Sequence, residues 1–350
     1  MSTSGLPIIS VEDSTKSDTT LQSETAQPLP QSGSPGQVEE SILQPGAVLY
    51  EPPPPLEGTL VRIQSIGWGG YSEVYRGIWT HGGKDVSVGI KCLRPRNPHE
   101  KDPPAQQRFE RRIRRETIIW ERARHENILP FMGYQIADGV AMLVSPWCEN
   151  GNLKTYVSLH PEMTVCTKLE LLRDAARGLA HLHSLQPPIV HGDIKPDNVI
   201  ITIIKSQIRA ALVDFGISRL MVGLEMRTGL TTAGGAGTAG YQARELFLDD
   251  KARPTDMSDV YSFGGLILAT MTGCSPFHHI KTDAFIVLAV FQGKIPEEVD
   301  HPQLPSTDPL WDLMRRCWNP NPSKRPSMSE VIEELEGELQ RRSTPGNGRG

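Results

Sequence analysis

Between Ile189 and Gly216 the chain reads Ile-Val-His191-Gly192-Asp193-Ile-Lys195-Pro-Asp197-Asn198 and then, after two apolar runs, Val-Asp214-Phe215-Gly216. Three acids and one amide fall within 24 residues, the groups needed to hold a divalent metal beside a hydroxyl that must lose its proton. Ile189 and Val190 precede the first cluster, Val199 to Ile204 follow it, and Ala210 to Val213 lead into Asp214. Short β-branched runs of this kind read as buried strands. Polar groups leaving the ends of adjacent strands then converge on one cleft.

The spacing resembles the catalytic loop H-R-D-x-K-x-x-N and the following D-F-G of eukaryotic protein kinases. That resemblance covers Gly58 to Leu339, about four fifths of the chain. It implies an α+β, two-lobed fold: a small β-rich lobe with one key helix over 58–145, a hinge over 146–150 and a larger, mainly helical lobe over 151–339. It further implies that Asp193 accepts the proton of a substrate hydroxyl and that Lys195 sits against the γ-phosphate of ATP. Asn198 and Asp214 hold Mg2+, hard oxygen donors for a hard cation. His191, Phe215 and Gly216 are packing and loop-forming positions, and Ile200 lines the nucleotide pocket.

Upstream, Thr59 to Ile66 alternates apolar and polar residues, Gly67-Trp68-Gly69-Gly70-Tyr71-Ser72 follows, and a second alternating run begins at Val74. This predicts a hairpin whose glycine-rich turn lets backbone amides approach phosphate oxygens, with Tyr71 at the tip. It is similar to the kinase G-x-G-x-x-G-x-V, with Ser72 in place of the third glycine. Val86 to Lys91 predicts a third strand, similar to V-A-I-K with Gly89 for alanine, and Lys91 is then the lysine that binds the α- and β-phosphates. After a proline-rich loop that includes Pro103 and Pro104, Gln106 to Arg124 reads as a helix. Phe109, Ile113, Glu116 and Trp120 share its apolar side, where Glu116 needs a cationic partner. The resemblance supplies Lys91. The helix arginines, Arg108, Arg111, Arg112, Arg114 and Arg115, read either as a solvated surface or as a dock for a phosphorylated loop or partner.

Val140 to Ser145 predicts the strand that leads into the hinge, so that by the same alignment Ser145 is a small gatekeeper and Trp147 and Cys148 line the hinge. No neighbour in the sequence would lower the Cys148 pKa, so its thiol is read as inert. Leu169 to Ser184 is a helix stopped by Pro187-Pro188, and His181 and His183, two apart, point away from each other. Asp259 either braces the catalytic-loop backbone or caps the helix that begins there. Ser327 and Glu330 have capping-box spacing ahead of a last amphipathic helix.

The five groups whose loss usually marks an inactive kinase, Lys91, Glu116, Asp193, Asn198 and Asp214, are all present. The resemblance therefore implies ATP-dependent phosphorylation, with a nucleotide-binding scaffold as the other class. Asp-Ile-Lys195-Pro-Asp-Asn and Gly237-Thr238 resemble Ser/Thr kinases, whereas Ser258 to Gly264 and Cys317-Trp318-Asn-Pro resemble forms shared with tyrosine kinases. The mixture resembles the tyrosine-kinase-like group of Ser/Thr kinases, and dual or tyrosine specificity stays open. Three departures stand out. Gly192 replaces the arginine that in many kinases grips a phosphorylated activation loop; Ala243-Arg244-Glu245 replaces A-P-E, leaving Glu245 to pair with Arg325; and Gly234-Gly235-Ala236-Gly237 makes the intervening segment glycine-rich.

Composition adds boundaries. A formal charge of -5 offers no general attraction to nucleic acid or an anionic membrane, and no apolar run approaches a membrane span, so neither is expected as a main partner, and the resemblance implies protein substrates. Five scattered cysteines argue against disulfides or a zinc site and for a reduced compartment, cytoplasm with the nucleus left open. Residues 1–57, rich in Ser, Thr, Gln and Pro, read as a disordered arm through which signalling partners bind, its Pro52 to Pro55 run being either a stiff linker or a polyproline ligand. Residues 340–350 read as a disordered tail.

Overall fold

Alternating runs joined through glycine fold back on themselves: β1 (Thr59–Gly69) and β2 (Ser72–His81) form an antiparallel hairpin, and β3 (Lys84–Leu93) follows through Gly82 and Gly83. Both of these glycines have positive φ, +56° and +74°, where a side chain would be strained. In the computed structural model, residues 51–69, 72–94, 103–214, 219–220, 238–249 and 251–343 are described. All of them belong to the second of the chain's two units, Val48–Gly350, the first being Met1–Ala47.

Next comes α1 (Pro103–Arg122), then β4 (Gly133–Ala137) and β5 (Val140–Pro146). The helix starts three residues before the expected Gln106, because proline is accommodated in a first turn whose amides have no helical partner, and it stops two residues short of Arg124. The five strands form one antiparallel sheet in the order β1-β2-β3-β5-β4. Register assigns its faces. Ile90 lies opposite Tyr75 and Val144, and these pack on the outer face with Val88, Cys92, Met142, Leu60 and Trp79. Lys91 lies opposite Val74 and Leu143, and Gly89 opposite Ser145, on the face turned to α1 and the cleft.

The remaining elements are mainly helical. Asn152 caps α2 (Leu153–Leu159), and α3 (Val165–Ser184) begins four residues before the expected Leu169, because the Thr164 hydroxyl accepts the Thr167 amide. Then come β6 (Ile189–Val190), β7 (Val199–Ile204), β8 (Gln207–Leu212) and β9 (Arg219–Leu220), which pair β6 with β9 and β7 with β8. Helix α4 (Asp256–Thr272) is buried along most of its length, and α5 (Asp283–Phe291), α6 (Leu310–Cys317) and α7 (Met328–Ser343) complete the lobe. Helix α3 packs on α4 and α7. The expected capping box forms, Ser327 N donating to Glu330 Oε2 at 2.7 Å. Helix α7 continues past the expected end at Leu339, because Arg342 at its last turn pairs with Asp308 at 2.8 Å and Glu338 at 3.0 Å. The fold is the expected two-lobed α+β arrangement.

Candidate active site

The loop after β6 is fixed by one buried carboxylate. Asp259, in the first turn of α4, accepts from His191 N at 2.8 Å and Gly192 N at 2.7 Å, and lies 3.0 Å from His183 Nε2. Thr255 is the N-cap of α4, so of the two roles open to Asp259 the structure selects the brace. Gly192 has φ +81°, which glycine adopts without strain. The buried His191 ring adds a bond from Nε2 to Val213 O at 3.0 Å.

On this backbone Asp193, Lys195 and Asn198 meet. Asp193 Oδ2 lies 2.7 Å from Lys195 Nζ and accepts from Asn198 Nδ2 at 2.8 Å. Asn198 Nδ2 also bonds Asp193 O at 2.8 Å, so the amide nitrogen is committed to the loop and the amide oxygen remains as a hard donor. Lys195 Nζ further donates to Thr238 Oγ1 at 3.0 Å.

A second charge cluster faces the first. Lys91 Nζ lies 2.6 Å from Asp214 Oδ1 and 3.1 Å from Glu116 Oε2, joining β3, α1 and the segment after β8. Glu116 is buried, and its other oxygen takes Arg112 Nε at 3.1 Å. Burial alone would lower the Lys91 pKa, but attraction to Asp214 and Glu116 outweighs it and the pKa is raised, which keeps the ammonium charged. Asp214 has φ +68° and a half-exposed side chain.

Strand register brings the remaining expected nucleotide-pocket positions together. Gly67 pairs with Val74, Val74 with Lys91, and Gly89 with Ser145. A Cβ on Gly89 would come within 3.1 Å of the Ser145 hydroxyl, so glycine lets the strand form a smooth wall. Ile66 and Val74 are exposed despite their size, Ser145 is buried and Ile200 half-buried. At the hinge Trp147 N donates to Ser87 O at 3.3 Å, and Arg76 lies over the Trp147 ring at 5.4 Å while pairing with Glu149 at 2.9 Å. Burial pushes the Cys148 thiol up to about 11, matching its reading as inert.

Two hard oxygen donors and two ammonium groups suit a polyphosphate carried with a divalent metal. Of the expected positions, Gly70, Tyr71, Phe215 and Gly216 lie outside the described residues, as do Thr228, Thr231, Thr232 and the Gly234–Gly237 run. For Trp68 and Gly69 only the backbone, in β1, is described. Glu245 pairs with Arg325 as expected, at 2.6 and 2.9 Å, although the two are 80 residues apart. Arg112 and Arg76 join the site unanticipated. Arg112 is four residues from Glu116, a helical spacing that names it; it does not sit on a solvated face. Arg76 had no local signal, because its partners lie across the hinge.

A protein-family model described as "Protein kinase domain" matches residues 60–335. A probable LRR receptor-like serine/threonine-protein kinase of Arabidopsis thaliana is 31% identical over 78% of this chain and 28% of its own length. Receptor-interacting serine/threonine-protein kinase 3 of Rattus norvegicus is 30% identical over 77% of the chain and 54% of its own length. The dual specificity protein kinase splA of Dictyostelium discoideum is 28% identical over 78% of the chain and 11% of its own length. The chain thus spans about half or less of each of these relatives.

Proposed function

The chain belongs to the protein kinase family, and from that premise we propose that it transfers the γ-phosphate of ATP to serine and threonine hydroxyls of other proteins. The observation that carries this reading is the Asp193 carboxylate, held between Lys195 and Asn198 with no slack in the loop beneath it. Asp193 orients the acceptor hydroxyl and takes its proton. Lys195 stabilises negative charge beside Asp193 and, through Thr238, fixes the segment along which the acceptor lies. Lys91 holds phosphate oxygens, and Glu116 holds Lys91. Asn198 and Asp214 hold Mg2+, which with ATP supplies charge neutralisation and the transferable phosphoryl group. Val74, Gly89, Ser145 and Ile200 enclose the base.

Serine/threonine preference is supported by the Lys195–Thr238 bond and by two of the relatives above, while the third is named dual-specificity. Phosphoamino-acid analysis of a mixed protein substrate labelled from γ-phosphate decides it: phosphoserine and phosphothreonine are expected, and comparable phosphotyrosine would replace this reading with dual specificity. Gly192 carries no cation for a phosphorylated activation segment. Activity therefore does not depend on phosphorylation there, and a variant with alanine at Thr228, Thr231 and Thr232 retains most of the wild-type rate. Near-total loss refutes this.

A further inference from the structure

Just ahead of β1, Glu51-Pro52-Pro53-Pro54-Pro55-Leu56-Glu57 closes the arm that the sequence predicts to be disordered, yet this segment rests on the domain. Four consecutive prolines dictate its shape. Each ring holds φ near −65°, and every proline that precedes another is pushed out of the helical region. What remains is the polyproline helix, a left-handed prism with three residues per turn and about 3.1 Å of rise per residue. Residues three apart therefore share an edge.

Burial follows that period of three. Pro53 and Leu56 are half-buried, whereas Pro52 and Pro55 are exposed, as are Glu51, Pro54 and Glu57. The first edge faces the domain. Leu56 packs, with Leu60 and Trp79, against the buried cluster of Val88, Ile90, Cys92, Met142 and Val144 on the outer face of the sheet. It fits there because Gly133 has no side chain: a Cβ on Gly133 would come within 3.1 Å of Leu56 Cβ. Leu56 N donates to Tyr134 O at 2.7 Å, Gln135 Nε2 donates to Leu56 O and Gly58 O, both at 2.8 Å, and Trp79 Nε1 donates to Glu57 O at 2.8 Å. The prolines have no N–H to satisfy, and the first amide after them is the one that β4 takes up.

The other two edges face solvent. One presents Pro52 and Pro55; the other presents Pro54 between the carboxylates of Glu51 and Glu57. A spacer between two bodies gains nothing from lying along one of them, and a strap over the sheet needs only Pro53 and Leu56. Single exposed prolines are ordinary. Here two edges of a stiff prism are held outward in fixed register, the form in which grooves lined by aromatic side chains take polyproline. The two acids select a groove with cations beside it.

We propose that Glu51–Glu57 is a docking site for a partner domain with an aromatic-lined polyproline groove and a basic rim, which grips the Pro52 and Pro55 edge and pairs with Glu51 and Glu57. This interaction is separate from phosphotransfer and does not rest on it. Because the segment is already extended and anchored, binding orders little new chain, so the full-length protein binds more tightly than the same sequence as a free peptide.

The test uses the full-length protein and two purified polyproline-binding domains, one with a basic and one with an acidic groove rim, with affinity read by calorimetry. The basic-rimmed domain is expected to bind about tenfold or more tightly than the acidic-rimmed one. Pro52→Ala with Pro55→Ala weakens that binding about tenfold, and leaves Tm within about 1 °C of wild type because both side chains are exposed. Glu51→Gln with Glu57→Gln weakens it several-fold and flattens its salt dependence. Leu56→Ala, which frees the anchor, brings the affinity down to that of a synthetic peptide of residues 49–58. Unchanged affinity in the proline variant assigns the run to a structural strap and overturns the proposal. So does failure of the basic-rimmed domain to bind the full-length protein, including the case in which it binds the free peptide alone, or a preference for the acidic-rimmed domain.

Discussion

Asp259→Asn tests whether one carboxylate holds the catalytic loop. Asp259 is fully buried, and its two oxygens receive His191 N and Gly192 N. Asparagine offers one oxygen, so whichever way it turns, one loop amide meets an NH2 group. Losing a hydrogen bond to a charged acceptor costs about 1.5–3 kcal/mol, and the stranded buried amide adds about 1 kcal/mol or more, for roughly 3 kcal/mol in all. At about 2 °C per kcal/mol for a domain of this size, Tm falls by about 6 °C. The loosened backbone lies one residue ahead of Asp193, and a displacement of its carboxylate near 1 Å lowers kcat about a hundredfold with little change in KM for ATP. Leu335→Ala, a cavity in buried α7 costing about 2–5 kcal/mol, is the control for stability alone. Thermal unfolding and steady-state kinetics, run well below both midpoints, separate the two. A fall in kcat in Asp259→Asn but not in Leu335→Ala is expected. Wild-type kcat in Asp259→Asn, or an equal fall in both, refutes the brace.

Two further outcomes follow from buried charge. Glu245→Ala strands Arg325, whose side chain is fully buried, and costs about 3 kcal/mol in urea unfolding, the low end for a broken buried pair because Arg325 keeps bonds to Asn319 O and Met257 O. Replacing the pair together, Glu245→Leu with Arg325→Met, recovers most of that loss. His301 is buried with both ring nitrogens lacking hydrogen-bond partners among the described residues; burial and the neighbouring His278 push its pKa down to about 4, against a weaker opposing pull from Asp300. The folded ring stays neutral while the unfolded one protonates near 6.5, so stability falls as pH drops from about 6.5 toward 4, by up to about 3 kcal/mol, and His301→Phe flattens the curve across that window.

What the sequence disclosed was local or carried by fixed spacing. His191, Asp193, Lys195, Asn198 and Asp214 announce themselves in register, and the apolar side of α1 exposes Glu116 as an acid in need of a cation. Helix ends moved wherever capping outweighed periodicity: Pro103 could open α1, and the Thr164 hydroxyl pulled the start of α3 forward. What stayed hidden depends on elements far apart in the chain meeting in space. Lys91 reaches Asp214 as well as Glu116, Arg76 clamps β2 to the hinge through Trp147 and Glu149, and Asp259 gathers three donors. The exposed Phe285, Leu288 and Phe291 of α5 were hidden for another reason: a helix apolar at eight of its nine positions reads as buried, and only the fold reveals which side is left open.

On the proposed function Asp193 serves the transfer step rather than nucleotide binding. Single-turnover transfer from Mg-ATP to a protein substrate, measured for wild type and Asp193→Asn beside calorimetric ATP affinity for each, addresses it directly. Loss of a positioned general base predicts a rate lower by roughly 10²–10⁴-fold in the variant at an ATP affinity within a few-fold of wild type. Transfer by Asp193→Asn at the wild-type rate, or none by wild-type protein that binds Mg-ATP, would contradict it.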